Sequence, residues 1–365
     1  MSALKSLTDA GGLTKRYFAA LGAVGWLKLA FVVLFIGGLG ISNQVFSLPV
    51  DSGTFSDPGE QAAALGVAAA GVGVYAGFRY FAALLEFVFV ESLRSQALSV
   101  RLYLRSNLGA GLRLMVFRWG LWLAALAVVA VPVGWTVLVG NVTDPVDVTA
   151  VQAAGIGLTA LVALLGLTTV TTLTNAFVVP IMVHERRGVL SGWRRFLDAM
   201  ASNKTGVVAF LLIAWLIGFA LWVALTVVGF VVGVVGLFGL VLAGAAATQI
   251  SSAFEPLVVV AIIGSFFAYQ YVVSTVVAPI RSYVRYYGLV ILGNTEPRLD
   301  LVPAQRAAMG ADEDAADTDA VDAAAPAAAV DPADASEPVD GDQVDSTDPV
   351  DTDDSRTTGD TDEER

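Results

Sequence analysis

Apolar stretches of membrane-crossing length recur along the chain at residues 25–46, 64–88, 119–140, 149–178, 206–228 and 257–279. Each exceeds the roughly 20 residues needed to cross a ~30 Å hydrocarbon core. Six of them cannot hide together inside one soluble core. The pattern therefore predicts an all-α fold, a polytopic helical membrane bundle of about six transmembrane helices. The first run lies behind Lys5, Asp9, Lys15 and Arg16 and is too long for a cleaved leader, so it reads as a retained span.

Residues 205–279 need separate treatment, because they carry a single charge, Glu255, over a length sufficient for three spans. Three spans would move Arg281 and Arg285 to the opposite side from the other basic segments. Two spans are expected instead. The intervening glycine-rich stretch, with Gly229, Gly233, Gly236, Gly239 and Gly244, is then a re-entrant or outer-surface hairpin packed on protein.

Charge fixes the direction of insertion. Lys5, Lys15, Arg16 and Lys28 lie at the start; Arg94, Arg101, Arg105, Arg113 and Arg118 between spans two and three; Arg186, Arg187, Arg194, Arg195 and Lys204 between four and five; and Arg281, Arg285, Arg298 and Arg306 after span six. These are 18 of the 19 bases outside the tail. The opposite loops, 47–61 and 141–148, hold no base and carry Asp51, Asp57, Glu60, Asp144 and Asp147. Cytoplasmic loops carry the excess of Lys and Arg, so both termini are expected in the cytoplasm of a multi-pass cell-membrane protein. Trp26, Trp119 and Trp135 fall at span edges, where interfacial anchors belong.

The net charge of −12 belongs to the C-terminus: residues 311–365 contain 20 acids and 2 bases, whereas the rest of the chain is mildly basic. That tail lacks aromatic residues and cannot bury enough apolar surface to offset its ordering entropy. The expected organisation is a cytoplasmic amphipathic segment at 1–24, a six-helix membrane domain at 25–306 and a disordered acidic cytoplasmic tail at 307–365.

Few residues are candidates for chemistry. Cysteine is absent, which excludes disulfides, thiolate nucleophiles and cysteine metal sites. Arg79 and Glu86 stand inside the second run, and intramembrane ionisable residues are functional candidates by default. Seven residues apart, they share a helix face but lie about 10 Å apart along the axis, too far to pair without bending together. Arg79 either snorkels to the interface or makes a polar contact with another helix. Thr168, Thr172 and Asn175 share one helical face in span four; they either line a hydrated path or bond locally, as membrane threonines do. Ala69, Gly73 and Gly77 give span two a close-packing face. His184 lacks a second histidine at helical spacing, since Gly188 occupies that place, so it reads as a surface residue. Asn141-Val142-Thr143 is a glycosylation sequon on the outer side.

Two basic segments, 91–105 and Val189–Met200, have apolar residues at helical spacing with arginines elsewhere on the wheel. Arg94, Arg101, Arg105, Arg194 and Arg195 are candidate contacts to anionic lipid headgroups. A weak internal repeat links Val178-Val179-Pro180-Ile181 to Val277-Ala278-Pro279-Ile280, with Arg186 and Arg285 in register.

The acidic tail and the excess of Arg over Lys, 17 to 4, point to a salt-accumulating archaeon. Glu86-Phe87-Val88-Phe89-Val90-Glu91-Ser92-Leu93-Arg94, continued at Gly111-Leu112-Arg113-Leu114-Met115-Val116-Phe117-Arg118, resembles a family of haloarchaeal multi-pass proteins. Pro180-Ile181-Met182-Val183-His184-Glu185 followed by Gly192-Trp193-Arg194-Arg195-Phe196 is similar to a broader group that includes the membrane domain attached to some glycerophosphodiester phosphodiesterases. That resemblance implies loop architecture only, because the catalytic residues of those enzymes lie in a separate soluble domain. No catalytic residue, cofactor or metal site is expected, and the chain is read as a non-enzyme. The leading expectation is a module that organises lipids, anionic ones foremost, or protein partners, including further copies of itself; nucleic acid is not expected. The alternative is a transporter or channel for a small or lipophilic solute. It requires Arg79, Glu86 and the threonine face of span four to converge on one cavity.

Overall fold

The structure, a computed structural model, describes residues 3–38, 58–138, 147–251 and 254–311. Among these, secondary structure is helical throughout. The elements are α1 (Ala3–Ile36), α2 (Pro58–Ser95), α3 (Val100–Ser106), α4 (Leu108–Leu138), α5 (Ala150–Leu173), a π-helical turn (Thr174–Val178), α6 (Val179–Glu185), α7 (Val189–Met200), α8 (Lys204–Ile250) and α9 (Glu255–Thr295). Six helical stretches are long and apolar enough to cross a membrane: α1, α2, α4, α5 continued through α6, α8 and α9. The protein is thus an all-α, multi-pass membrane bundle, as the hydrophobic pattern predicts. The sequon at Asn141 and the tail from Asp312 onward lie outside the described residues.

α1 packs along α9, α2 bridges α1 and α4, α5 lies against α4, and α8 lies chiefly against α9. Fully buried side chains gather where the basic segments are, at the ends of α2 and α9 and around the π turn: Tyr17, Phe87, Phe89, Phe177, Phe210, Tyr286 and Tyr287. Two of the three tyrosines have their polar tips satisfied locally. Tyr17 Oη pairs with Ser92 Oγ at 2.9 Å, and Tyr286 Oη donates to the Leu93 carbonyl at 2.9 Å. Gln305 Nε2 donates to the carbonyls of Leu93 and Arg94, two of the acceptors that a helix end leaves without intrahelical partners. Away from this end, large apolar side chains face outward, with Val151 82 % and Phe230 71 % exposed. That surface suits hydrocarbon, not water.

Three expectations need correction. The glycine-rich stretch 229–250 is neither a hairpin nor a separate span. It continues α8, a single helix of 47 residues, about 70 Å long at 1.5 Å per residue. A helical glycine costs about 1 kcal/mol against alanine, whereas a turn in hydrocarbon would leave backbone groups unsatisfied at several kcal/mol each. Two of these glycines also admit α9. A Cβ on Gly229 would lie 2.9 Å from Tyr269 Oη, and one on Gly244 2.7 Å from Val258 Cγ1.

Secondly, segment 91–105 is not one amphipathic helix. α2 ends at Ser95, Gln96 has φ +52°, and α3 starts only at Val100. The helix over Val189–Met200 is continuous, as its spacing predicts, and buries Val189, Gly192, Phe196, Ala199 and Met200.

Thirdly, several helices run past the predicted spans at their basic ends. Arg118 belongs to α4, and Arg281 and Arg285 to α9, rather than to loops. The suggested repeat places its prolines differently, one after the π turn and one inside α9. Arg186 is exposed in a left-handed conformation, whereas Arg285 is buried.

α1 carries a break at Gly22, with φ +63° and ψ −178°. A Cβ there would meet nothing within 4 Å, so backbone conformation rather than space requires glycine.

Candidate functional site: an arginine-lined cavity

Glu86 lies in the stretch of α2 whose neighbours Ala82 to Val90 are all buried, and is itself 2 % exposed. A carboxylate taken so far from water must be paired. It is paired twice, once from each side. Arg118 Nη2 of α4 donates to Oε1 at 3.0 Å, and Arg285 Nη2 of α9 donates to Oε2 at 2.5 Å. Arg118 also donates to Asn175 Oδ1 at 2.6 Å. The Arg285 guanidinium stands 5.6 Å from the centre of the Phe89 ring, a cation–π contact. Three helices therefore meet on one carboxylate, and the π turn joins them through Arg118.

Asn175 reaches this cluster from the π turn. Of the face predicted for Thr168, Thr172 and Asn175, the first two precede that turn in regular α5, and Thr172 joins Asn175 at the cavity around this cluster while Thr168 does not. Thr168 stays on the exposed surface, its hydroxyl donating to the carbonyls of Leu164 and Leu165.

Around the cluster is a cavity of about 580 Å³ with walls from all six membrane-crossing stretches. Its charged lining is Arg79, Arg118, Arg281, Arg285 and Glu86, and its neutral polar lining is Thr171, Thr172 and Asn175. Phe89, Trp122, Phe210 and Trp222 supply aromatic surface. Four arginines face one carboxylate, a net of +3. Arg118 Nε and Arg285 Nη1 are buried with no hydrogen-bond partner among the described residues. Arg79 and Arg281 form no ion pair among those residues. Gly37 makes room for Arg281, since a Cβ on it would lie 3.3 Å from the guanidinium Nη2. Fixed guanidinium donors in excess of the available carboxylate are the chemistry that recognises an oxyanion. The cavity falls within the ~300–1,000 Å³ range of small-molecule sites.

Of the residues singled out from sequence, Arg79, Glu86, Thr172 and Asn175 line this one cavity and Thr168 does not. Arg79 and Glu86 do not pair with each other; the carboxylate's partners come from other helices. Sequence reasoning missed Arg118, Arg281 and Arg285 by assigning them to loops. The four-residue spacing of Arg281 and Arg285, one helical turn, was the available signal.

The basic residues outside the cavity divide into two groups. Arg101, Arg105 and Arg194 are exposed, and Arg94, also exposed, pairs with Glu91 at 2.6 Å. Arg195 is engaged by Glu296 at 2.9 Å and Glu185 at 3.3 Å, which hold its guanidinium above its ordinary value, the bond to Glu296 contributing most. His184 Nε2 lies 3.1 Å from the Arg298 carbonyl. Among the described residues, no group of three or more His, Asp or Glu side chains is placed to hold a metal ion.

Residues 1–302 match the model of a protein family of unknown function. The chain belongs to DUF7544. No curated protein and no solved structure matches it. The DUF7544 match runs through all six apolar stretches and ends shortly after α9, so the arginine cavity lies wholly inside the family region and the acidic tail outside it.

Proposed function

We propose that this DUF7544 protein is a non-enzymatic membrane protein that admits a small anionic solute into its bundle, as a transporter or channel does. The observation that carries this reading is the net +3 lining, with two buried guanidinium N–H groups that have no partner among the described residues. Charge inside a membrane protein is costly and marks ion and substrate pathways. Arg79, Glu86, Thr172 and Asn175 line one cavity and Thr168 does not, so the convergence expected of a transporter is met in part and supports this reading. The basic ends of the helices face the cytoplasm by the positive-inside rule.

A second reading, a module that organises anionic lipid or protein partners, draws support from exposed Arg94, Arg101, Arg105 and Arg194, the last on the amphipathic α7.

Thermal unfolding of the purified protein in neutral detergent, titrated with sulfate against gluconate at constant ionic strength, separates the two. Anion binding raises Tm saturably with sulfate, and Arg79→Gln/Arg281→Gln abolishes the rise. A Tm indifferent to sulfate would overturn this reading. Loss of co-purifying anionic lipid from a variant with Arg94, Arg101, Arg105 and Arg194 changed to Gln would then favour the lipid module.

A further inference from the structure

A second cavity, of about 550 Å³, lies on the same seam between α8 and α9. Its lining is polar but uncharged: Ser6, Ser202, Asn203, Thr205, Asn294 and Thr295, with Tyr287 among the remaining residues. The two cavities follow one another in register on both helices. From its start, α8 contributes Gly206 and Ala209 to the polar cavity, then Phe210, Ala214 and Ile217 to the arginine cavity. From its end, α9 contributes Thr295, Ile291 and Tyr287 to the polar cavity, then Arg285 and Arg281 to the arginine cavity. The boundary falls between adjacent residues of α8 and within one turn of α9.

Two aromatic rings stand at that boundary. Phe210 and Tyr287 are stacked, with centroids 5.6 Å apart and planes inclined at 28°, and neither is more than 1 % exposed. Phe177 of the π turn meets Phe210 edge-on at 4.8 Å. Gly288 allows this closeness, because a Cβ there would lie 3.3 Å from the Ala176 carbonyl and 3.4 Å from Phe210 Cε2. The Tyr287 hydroxyl is buried and has no hydrogen-bond partner among the described residues. A phenol hydroxyl buried without a partner carries the desolvation cost of that group. A solute or water arriving from the polar side would satisfy it.

We infer that the two cavities are successive compartments of one path for a small oxyanion, divided by the Phe210–Tyr287 pair as a gate. The polar compartment opens from the basic end. Its hydroxyls and amides replace part of an anion's hydration without the charge that would trap it. The arginine compartment supplies the binding. The gate rests on the same π turn that presents Asn175, so displacement of Phe177 reaches the gate and the anion site together. This inference rests on the anion-binding reading above, and its test is independent of that reading.

The chain contains no cysteine, so single cysteines report accessibility without background. Gly218 lines the arginine cavity, and a Cβ there meets nothing within 4 Å; Thr205 lines the polar cavity. Gly218→Cys and Thr205→Cys are prepared in the full chain and reconstituted. They are then modified from the basic side with a membrane-impermeant sulfonated methanethiosulfonate. Thr205→Cys should react quickly whatever stands at 210. Gly218→Cys should react slowly with Phe210 present and at least about tenfold faster with Phe210→Ala. Where Phe210→Ala is not recovered folded, Phe210→Leu carries the same comparison. Equal rates at Gly218→Cys with and without the Phe210 ring would overturn the gate. Sulfate stabilisation retained in those variants would leave the anion site standing, whereas its absence from the wild-type chain would remove the anion site whatever the labelling shows.

Discussion

Glu86 is where the electrostatics of the cavity can be tested quantitatively. Glu86→Gln keeps the shape and one acceptor but removes the charge that two arginines share at 3.0 and 2.5 Å. All three side chains are largely buried, so solvent screening relieves little of the imbalance. Removing one partner of a buried ion pair costs about 3–5 kcal/mol, because the charge left behind is uncompensated. Glutamine's remaining acceptor places the expected loss near the lower end, about 3 kcal/mol. An anion that enters the cavity should offset it. At a concentration one hundred times its Kd, a ligand stabilises the folded state by about 2.7 kcal/mol. The variant should also bind sulfate more tightly than wild type, since its carboxylate no longer competes for Arg118 and Arg285. Equilibrium unfolding in mixed micelles, with and without saturating sulfate, measures both effects. A loss below about 1 kcal/mol, or a sulfate response no stronger than wild type, would refute the shared-carboxylate arrangement.

Other outcomes follow from the same geometry. Arg79 has no ion pair among the described residues, so Arg79→Leu should change stability by less than about 1 kcal/mol while weakening sulfate binding. Combined with Glu86→Gln it should act additively on stability within about 0.5 kcal/mol, and strong coupling in a double-mutant cycle would reveal a contact. Gly111 sits against Leu84, where a Cβ would lie 2.4 Å from Cδ2 and 3.5 Å from Cα. Gly111→Val should therefore destabilise the α2–α4 contact by about 1–3 kcal/mol, read as folded yield and unfolding midpoint, and an unchanged midpoint would show that contact to be loose. Deleting residues 312–365 should leave Tm and oligomeric state unchanged at 1 M salt, where the screening length is ~3 Å. A lost assembly at that salt would identify a specific partner of the tail.

The existence, type and number of the membrane-crossing elements were legible in the sequence, because hydrocarbon leaves the backbone little choice beyond a helix. Helix ends were not. Hydropathy falls where arginines begin, and the eye stops there, yet α4 and α9 carry Arg118, Arg281 and Arg285 inside their helical runs. Composition cannot reveal that α4 and α9 bring Arg118 and Arg285 onto one glutamate, since such pairing depends on tertiary contact. The π turn was equally hidden, because one inserted residue changes phase without changing composition. Glycines in α8 misled for a related reason: in water they signal turns, whereas in a membrane helix they admit neighbouring side chains such as Tyr269 and Val258. What sequence did deliver was the suspicion attached to Arg79 and Glu86, and both line the cavity.

Equilibrium binding of radiolabelled sulfate to the purified full chain tests the central claim most directly. Wild type should show a single saturable site, Arg79→Gln/Arg281→Gln should lose it, and Glu86→Gln should retain it with higher affinity. Sulfate binding that does not saturate, or that is unchanged when both arginines are replaced, would contradict an anion site in this cavity.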